Sequence, residues 1–186
     1  MTKSPLTSQV NSTALMLLKA RSKFACALAI LTLVGATMAR ASTFADAVAA
    51  KQRGDFSTAL SQFRQLASEG DAAAQFELSL LYLNGKGGTQ NSRESMYWLK
   101  QAAMRGYLPA QSNLGVAFNR GRYLPQDGVK AYIWSSMAAD SGDSVAMTNR
   151  DVAARKLTPP QLELAKALAL ECKKRLSEVR ALPQCL

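Results

Sequence analysis

The sequence predicts an all-α protein, a short right-handed α-solenoid of about three and a half stacked two-helix units. Two observations predict it. Residues recur in phase at a spacing of 36, as Gly70, Gly106 and Gly142 do. Within each period, apolar residues fall at helical spacing and glycines follow where the helices should end. One two-helix unit cannot bury its apolar face alone, so such units stack and share a core.

The recurring positions carry mostly small, aromatic or aliphatic residues, which suit close helix packing. They are Gly70, Ala74, Leu78, Tyr82, Gly85, Trp98, Ala102, Ala103 and Gly106 in one period, and Ala110, Leu114, Phe118, Gly121, Trp134, Ala138, Ala139 and Gly142 in the next. Trp98 and Trp134 could stack a ligand, but their repeated phase beside paired alanines predicts a place in the core between units.

Capping residues place the helices within each unit. In the first full unit, helix A is predicted over Ala72–Leu83, because Gly85 tolerates the positive φ of a helix end. Asn91 or Ser92 can cap the following helix B. In the next unit, Asp127 is the natural cap of helix B.

Variant units flank the two full ones. Upstream, a shorter helical pair turns tightly at Gly54-Asp55. Downstream, Thr158 and Gln161 have the spacing of a capping box and precede a helix predicted from about Pro160 to Glu178. This last helix carries an apolar stripe and a basic end, as expected of a terminal cap.

These residues resemble the Sel1-like repeat family, relatives of the tetratricopeptide repeats. The second full unit carries the family pattern as Ala110, Leu114, Gly115, Phe118, Gly121, Asp127, Ala131, Trp134, Ala138-Ala139 and Gly142. The first full unit departs from it at Ser79, Asn91 and Ser95, which take the places of a glycine, an aspartate and an alanine. These departures predict looser packing there.

The resemblance covers about Phe44–Lys166 and implies a division of the chain. The segments are a secretory signal (1–41), a tetratricopeptide-like pair (42–70), two Sel1-like repeats (71–106 and 107–142), and a partial repeat with a capping helix and tail (143–186). The motif residues are packing residues, so the resemblance is informative about fold and says little about function.

The N-terminus has the pattern of a secretory signal. A basic stretch around Arg21 precedes an apolar run of 12 residues, Phe24–Gly35, and Ala39 and Ala41 form a small-residue cleavage pattern. The run is shorter than the about 20 residues of a membrane span, so a cleaved signal is favoured over a retained anchor. Met16 is an alternative start that would leave a more ordinary signal.

Cleavage after Ala41 would change both the charge and the cysteine count. The net charge of +10 would fall to +5, which argues weakly for an anionic partner and against nucleic acid. Cys172 and Cys185 would remain, and an oxidising compartment favours a structural disulfide between them. A reactive thiol pair or a metal site are the alternatives, and two cysteines without histidine make a poor metal site.

Composition also argues against an enzyme. The chain has no histidine, which removes the commonest general base and the commonest metal ligand. No Ser-x-x-Lys motif of β-lactam-active enzymes occurs. We therefore predict no catalytic residue, no cofactor and no metal.

Five residues are candidates for binding a partner. Gln75 and Gln111 recur in phase on helix A, where they could present a polar ladder to a bound peptide, although simple exposure to solvent is the favoured interpretation. Arg120, Arg122 and Tyr123 stand near the mouth of the second loop.

The predicted function is a non-catalytic, periplasmic or secreted repeat protein that binds another protein of the bacterial envelope through its solenoid surface. It would scaffold or regulate an envelope complex. The alternatives are a binder of anionic envelope glycan or peptidoglycan and, less favoured, a β-lactam-binding or β-lactam-hydrolysing enzyme.

Overall fold

The computed structural model describes residues 43–177. This part of the chain contains eight helices and no strand, so the all-α α-solenoid is confirmed. From Phe44 onward the helices belong to one compact unit. The helices are α1 (Thr43–Gln52), α2 (Phe56–Ser68), α3 (Ala72–Asn84), α4 (Ser92–Met104), α5 (Leu108–Arg120), α6 (Gly128–Ala139), α7 (Ser144–Ala154) and α8 (Pro159–Ser177).

Side-chain caps start most of these helices, as the sequence predicted. The Asn91 side chain accepts a hydrogen bond from the amide of Glu94 at 3.1 Å, and Asp127 accepts one from Lys130 at 3.0 Å. Asp143 begins α7 in the same way. Each cap satisfies an amide that has no partner within its helix, which is typically worth about 1 kcal/mol.

Alanines fill the contacts between helices. Ala102 and Ala103 of α4 and Ala138 of α6 are fully buried, as the repeat predicted. Trp134 is also fully buried, whereas Trp98 is half-buried against the apolar cluster of α1–α3. The same joint is thus built twice, with the second tryptophan more enclosed than the first.

The last helix covers the end of the array. α6 packs against α5, α7 and α8, so α8 closes the face that a further unit would otherwise cover. Ala165, Ala169 and Cys172 form its buried stripe, at the three-to-four-residue spacing that the sequence predicted. Leu164, on the same helix, lies outside this stripe and is 52% exposed.

Several sequence predictions fall outside the described residues. The signal segment, the alternative start at Met16 and the tail with Cys185 all lie there, so the Cys172–Cys185 pairing stays a prediction. Within residues 43–177, no helix combines the length and the apolar character that crossing a membrane requires.

Candidate binding cleft

Gln75 and Gln111 are buried, so the expectation that they form an exposed polar ladder is wrong. They are only 2% and 5% exposed. The Nε2 of Gln75 donates to the carbonyl oxygen of Ala67 at 3.0 Å, and that of Gln111 donates to Ala103 at 3.1 Å. The repeated glutamine therefore ties the start of each helix A to the end of the preceding helix B, which explains its phase without a ligand.

Arg120, Arg122 and Tyr123, in contrast, are exposed and lie together at the rim of a cleft of about 230 Å³. The cleft lies between α3, α4 and α5. Its remaining lining is mostly apolar, with two serines and an asparagine: Ser79, Leu80, Leu83, Ser95, Met96, Leu99, Asn113, Val116 and Ala117. We call this the inter-repeat cleft.

The first cause of the cleft is the side chain of Ser79. In the next unit its counterpart is Gly115, where an added Cβ would lie 2.3 Å from the Oγ of Ser135 and 3.2 Å from the carbonyl oxygen of Ala131. α5 and α6 can approach this closely only because Gly115 has no side chain. Ser79 carries one, and it lines the cleft. Ser95, which replaces the in-phase Ala131, lines the same cleft.

The second cause is the size of the side chains between successive A helices. α5 packs directly on α7, whereas α3 and α5 are not a closely packed pair. α3 presents Phe76 and Leu80 at the positions where α5 presents the smaller Ser112 and Val116. The larger side chains keep α3 and α5 apart, because packed helices approach only as far as the side chains at their contact allow.

The third cause is Tyr123 in the loop after α5. Its counterpart one repeat earlier is Gly87, which lies against α2 so tightly that an added Cβ would sit 2.3 Å from the carbonyl oxygen of Phe56. Both residues have a left-handed backbone conformation, with φ of 84° at Gly87 and 71° at Tyr123. A tyrosine cannot make the close approach that glycine makes, so this loop leaves the space beside α4 open.

Tyr123 is the only non-glycine residue with positive φ in the described chain. This conformation costs on the order of 1–3 kcal/mol for such a residue, and strain of this size is concentrated at functional sites. The Tyr123 ring is 39% exposed and lies under the guanidinium of Arg122, with 4.8 Å from its centre to the guanidinium carbon. The strained residue therefore supports one of the two arginines of the rim.

Comparison with known proteins explains the repeat. A model of the Sel1 repeat family matches residues 72–107 and 108–143. The chain contains two Sel1 repeats. The first is α3–α4 and the second is α5–α6, so the predicted resemblance is confirmed.

Two solved structures are similar to this chain. One is the crystal structure of c5321, a protective antigen present in uropathogenic Escherichia coli strains that displays an SLR fold, with 30% identity and a TM-score of 0.59. The match covers 68% of this chain and 29% of c5321, so this chain spans less than a third of that protein. The other is a Sel1 repeat protein from Oxalobacter formigenes, with 34% identity, 46% and 66% coverage of the two chains, and a TM-score of 0.45. Curated protein sequences gave no match.

Sel1 repeats commonly mediate contacts between proteins. The inter-repeat cleft lies where the first Sel1 repeat of this chain departs from the family pattern, at Ser79 and Ser95, and where the loop of the second carries Tyr123. The sequence showed the departures at Ser79 and Ser95 and predicted looser packing there. It did not show that Tyr123 meets them at one cleft, and the third departure, Asn91, is an ordinary helix cap outside the cleft lining.

A second group of hollows lies where α8 meets the second Sel1 repeat. Two cavities of about 270 and 350 Å³ share Met137 and Lys173 in their lining. Two of the lysines that line them are paired with carboxylates: Lys173 with Asp140 at 2.6 Å, and Lys166 with Glu163 at 2.8 Å. These ion pairs reduce the attraction of this basic end of the chain for an external anion.

The polar groups of the inter-repeat cleft are few. The Ser79 hydroxyl donates to the carbonyl oxygen of Phe76 at 2.7 Å, so its proton is already engaged within the helix. Residues 43–177 also contain no cluster of side chains suited to a metal ion. The cleft presents an apolar wall and two cations, which is a surface for recognition.

Proposed function

We propose that this protein is a non-catalytic, exported Sel1 repeat protein that binds another protein through the inter-repeat cleft, and that it scaffolds or regulates a bacterial envelope complex. The observation that carries the proposal is that two departures from the family pattern, Ser79 and Ser95, line one largely apolar cleft together with Tyr123, whose φ is positive. Residues that serve only the solenoid would repeat, and these do not.

The contact between α5 and α7 provides a built-in comparison. Asn113 lines the cleft, and its counterpart one repeat later is Asn149 on α7, where α5 and α7 pack together. The test places a photo-crosslinking amino acid at either position in the full chain, expressed in its native cells. We expect irradiation to attach a specific protein at Asn113 and to attach none, or far less, at Asn149.

Once crosslinking has identified the partner, its affinity for the purified chain is measured directly. Val116→Trp fills the cleft, and Val152→Trp is the matched change on α7. The purified partner should bind the wild-type chain and the Val152→Trp variant but lose at least about tenfold in affinity, roughly 1.4 kcal/mol, for Val116→Trp. Equal crosslinking at both asparagines, or equal affinity for both tryptophan variants, would show that the cleft is not the binding surface.

Export is tested separately. The basic and apolar pattern that ends at Ala41 supports a cleaved signal. Fractionation of the cells and N-terminal sequencing should find a mature chain that begins at Ser42 outside the cytoplasm. An uncleaved cytoplasmic chain would refute this part of the proposal. Retention on purified peptidoglycan, or hydrolysis of a chromogenic β-lactam, would support the glycan or enzyme alternatives instead.

A further inference from the structure

We propose that the partner segment that enters the inter-repeat cleft carries an acidic side chain next to a bulky apolar one. The apolar side chain fills the cleft, and the carboxylate pairs with Arg120 and Arg122 at the rim. This inference rests on the proposed function and specifies the chemistry of the partner at that site.

The walls of the cleft select an apolar side chain. Leu80 and Leu83 of α3 face Val116 of α5 across it, and Met96 and Leu99 of α4 close its base. The volume of about 230 Å³ is below that of a drug-sized ligand site, which runs from about 300 Å³ upward, and suits one or two side chains. Binding energy at protein interfaces is concentrated in such pockets when they take one anchoring side chain.

The rim selects a negative charge. Arg120 and Arg122 are exposed, and no ion pair or hydrogen bond between side chains engages either of them in the described structure. The cations around α8 differ, because Lys166 and Lys173 face carboxylates of this chain. An incoming carboxylate therefore competes with no internal acid at the rim.

Nearby residues strengthen this choice. The ammonium group of Lys156 donates to the side chain of Asn119 at 2.8 Å, which brings a third cation next to the end of α5. The guanidinium carbon of Arg122 lies 4.8 Å from the centre of the Tyr123 ring, so the tyrosine holds this cation at the cleft. A stacked guanidinium keeps its fork of donors, which matches the two oxygens of a carboxylate.

The combination favours an acidic peptide over a free anion. Small anions and sugars would gain little from an aliphatic wall of leucine, methionine and valine. A peptide residue of the Leu or Ile type followed or preceded by Asp or Glu uses both parts of the site at once. Burial gives the affinity, and the two arginines give orientation and a faster, salt-dependent association.

A phage-displayed library of random dodecapeptides tests this chemistry. It is selected on the full mature chain, and clones that no longer bind Val116→Trp are retained as cleft-dependent. We expect these clones to place Asp or Glu within two positions of Leu, Ile, Met or Phe more often than the unselected library. A synthetic peptide of the strongest clone is then compared with its copy in which Asp and Glu become Asn and Gln.

The amide copy should bind wild-type protein about tenfold more weakly than the acidic peptide, and the difference should shrink as salt is raised to 0.5 M. Arg120→Ala/Arg122→Ala should remove the preference. Arg53→Ala/Lys86→Ala is the matched control, since it removes the same charge and Lys86 is the first-repeat counterpart of Arg122. That control should keep the preference.

Three results would overturn the inference: no cleft-dependent clones, clones without an acidic excess, or a preference that survives in Arg120→Ala/Arg122→Ala. An equal loss in the control double variant would also count against it, because the net charge of the chain would then explain the preference. If Asn113 still captures a partner in cells under any of these results, the proposed function stands and only the acidic chemistry fails.

Discussion

Gly87→Ala tests the packing argument on which the cleft depends. In the structure, the new Cβ would lie 2.3 Å from the carbonyl oxygen of Phe56, a backbone atom that cannot rotate away. An alanine at the left-handed φ of Gly87 costs about 1–2 kcal/mol. Overpacking adds about 1–3 kcal/mol, and the lower entropy of the unfolded chain returns about 0.4–1 kcal/mol. We expect a net loss of about 1–5 kcal/mol in the free energy of unfolding, with a central value of about 3 kcal/mol.

The matched variant is Tyr123→Ala, at the in-phase position one repeat later. Here the backbone already holds a Cβ at positive φ, so the change removes the ring and its contact with Arg122, worth about 0.5–1 kcal/mol at an exposed site. Thermal unfolding followed by circular dichroism should show a midpoint roughly 10 °C lower for Gly87→Ala and at most about 4 °C lower for Tyr123→Ala. Equal and small shifts for the two variants would refute the claim that the two loops differ in how closely they approach the preceding helix.

Three further predictions concern stability and pH. Gly115→Ala should lower the free energy of unfolding in urea titrations by about 1–3 kcal/mol, because α5 and α6 are in close contact there. Adding Ser135→Ala should recover part of this loss, since the Ser135 Oγ is the atom nearest to the new Cβ. Gln111→Ala should lower the free energy of unfolding by about 1–3 kcal/mol in the same titrations, because a buried hydrogen bond is lost, while affinity for the partner stays unchanged. A selective loss of affinity would contradict the structural role assigned to this side chain. The hydrogen bonds at the start of α2, first of all that from the Thr58 side chain, lower the pKa of Asp55. The contribution of Asp55 to stability is therefore present above pH 3.8 and is lost as the pH falls through the lower pKa of the folded state. Asp55→Asn should flatten the fall in melting temperature below about pH 4, and an unchanged slope would show that the cap does not contribute.

The local signals in the sequence were sufficient for the helices. Asn91 and Asp127 cap as predicted because a cap depends on residues within three or four positions of itself. The buried alanines were also predictable, because their recurrence reports a contact that is made twice. The second tryptophan, Trp134, is fully buried for the same reason.

The binding residues were harder to predict, and the outcome differs between them. Repetition alone could not distinguish exposed glutamines that bind a ligand from buried glutamines that connect two helices. Gln75 and Gln111 recur because each donates a hydrogen bond to the preceding helix. Arg120, Arg122 and Tyr123 do lie together at a cleft, although no contact in the structure tests their role in binding. The apolar walls, Leu80 and Val116 among them, were missed, because each looks like ordinary core in its own helix.

The sequence by itself determined the two-helix unit and its caps, since these depend on residues that are near one another in the chain. Only the tertiary structure showed that Ser79, Ser95 and Tyr123 share one space, because they lie on three different elements and their separation depends on how closely those elements pack. The paired alanines and Trp134 of the repeated segment build the solenoid. The departures from the repeat open the cleft, because each adds a side chain, or a larger one, where close packing needs a smaller residue.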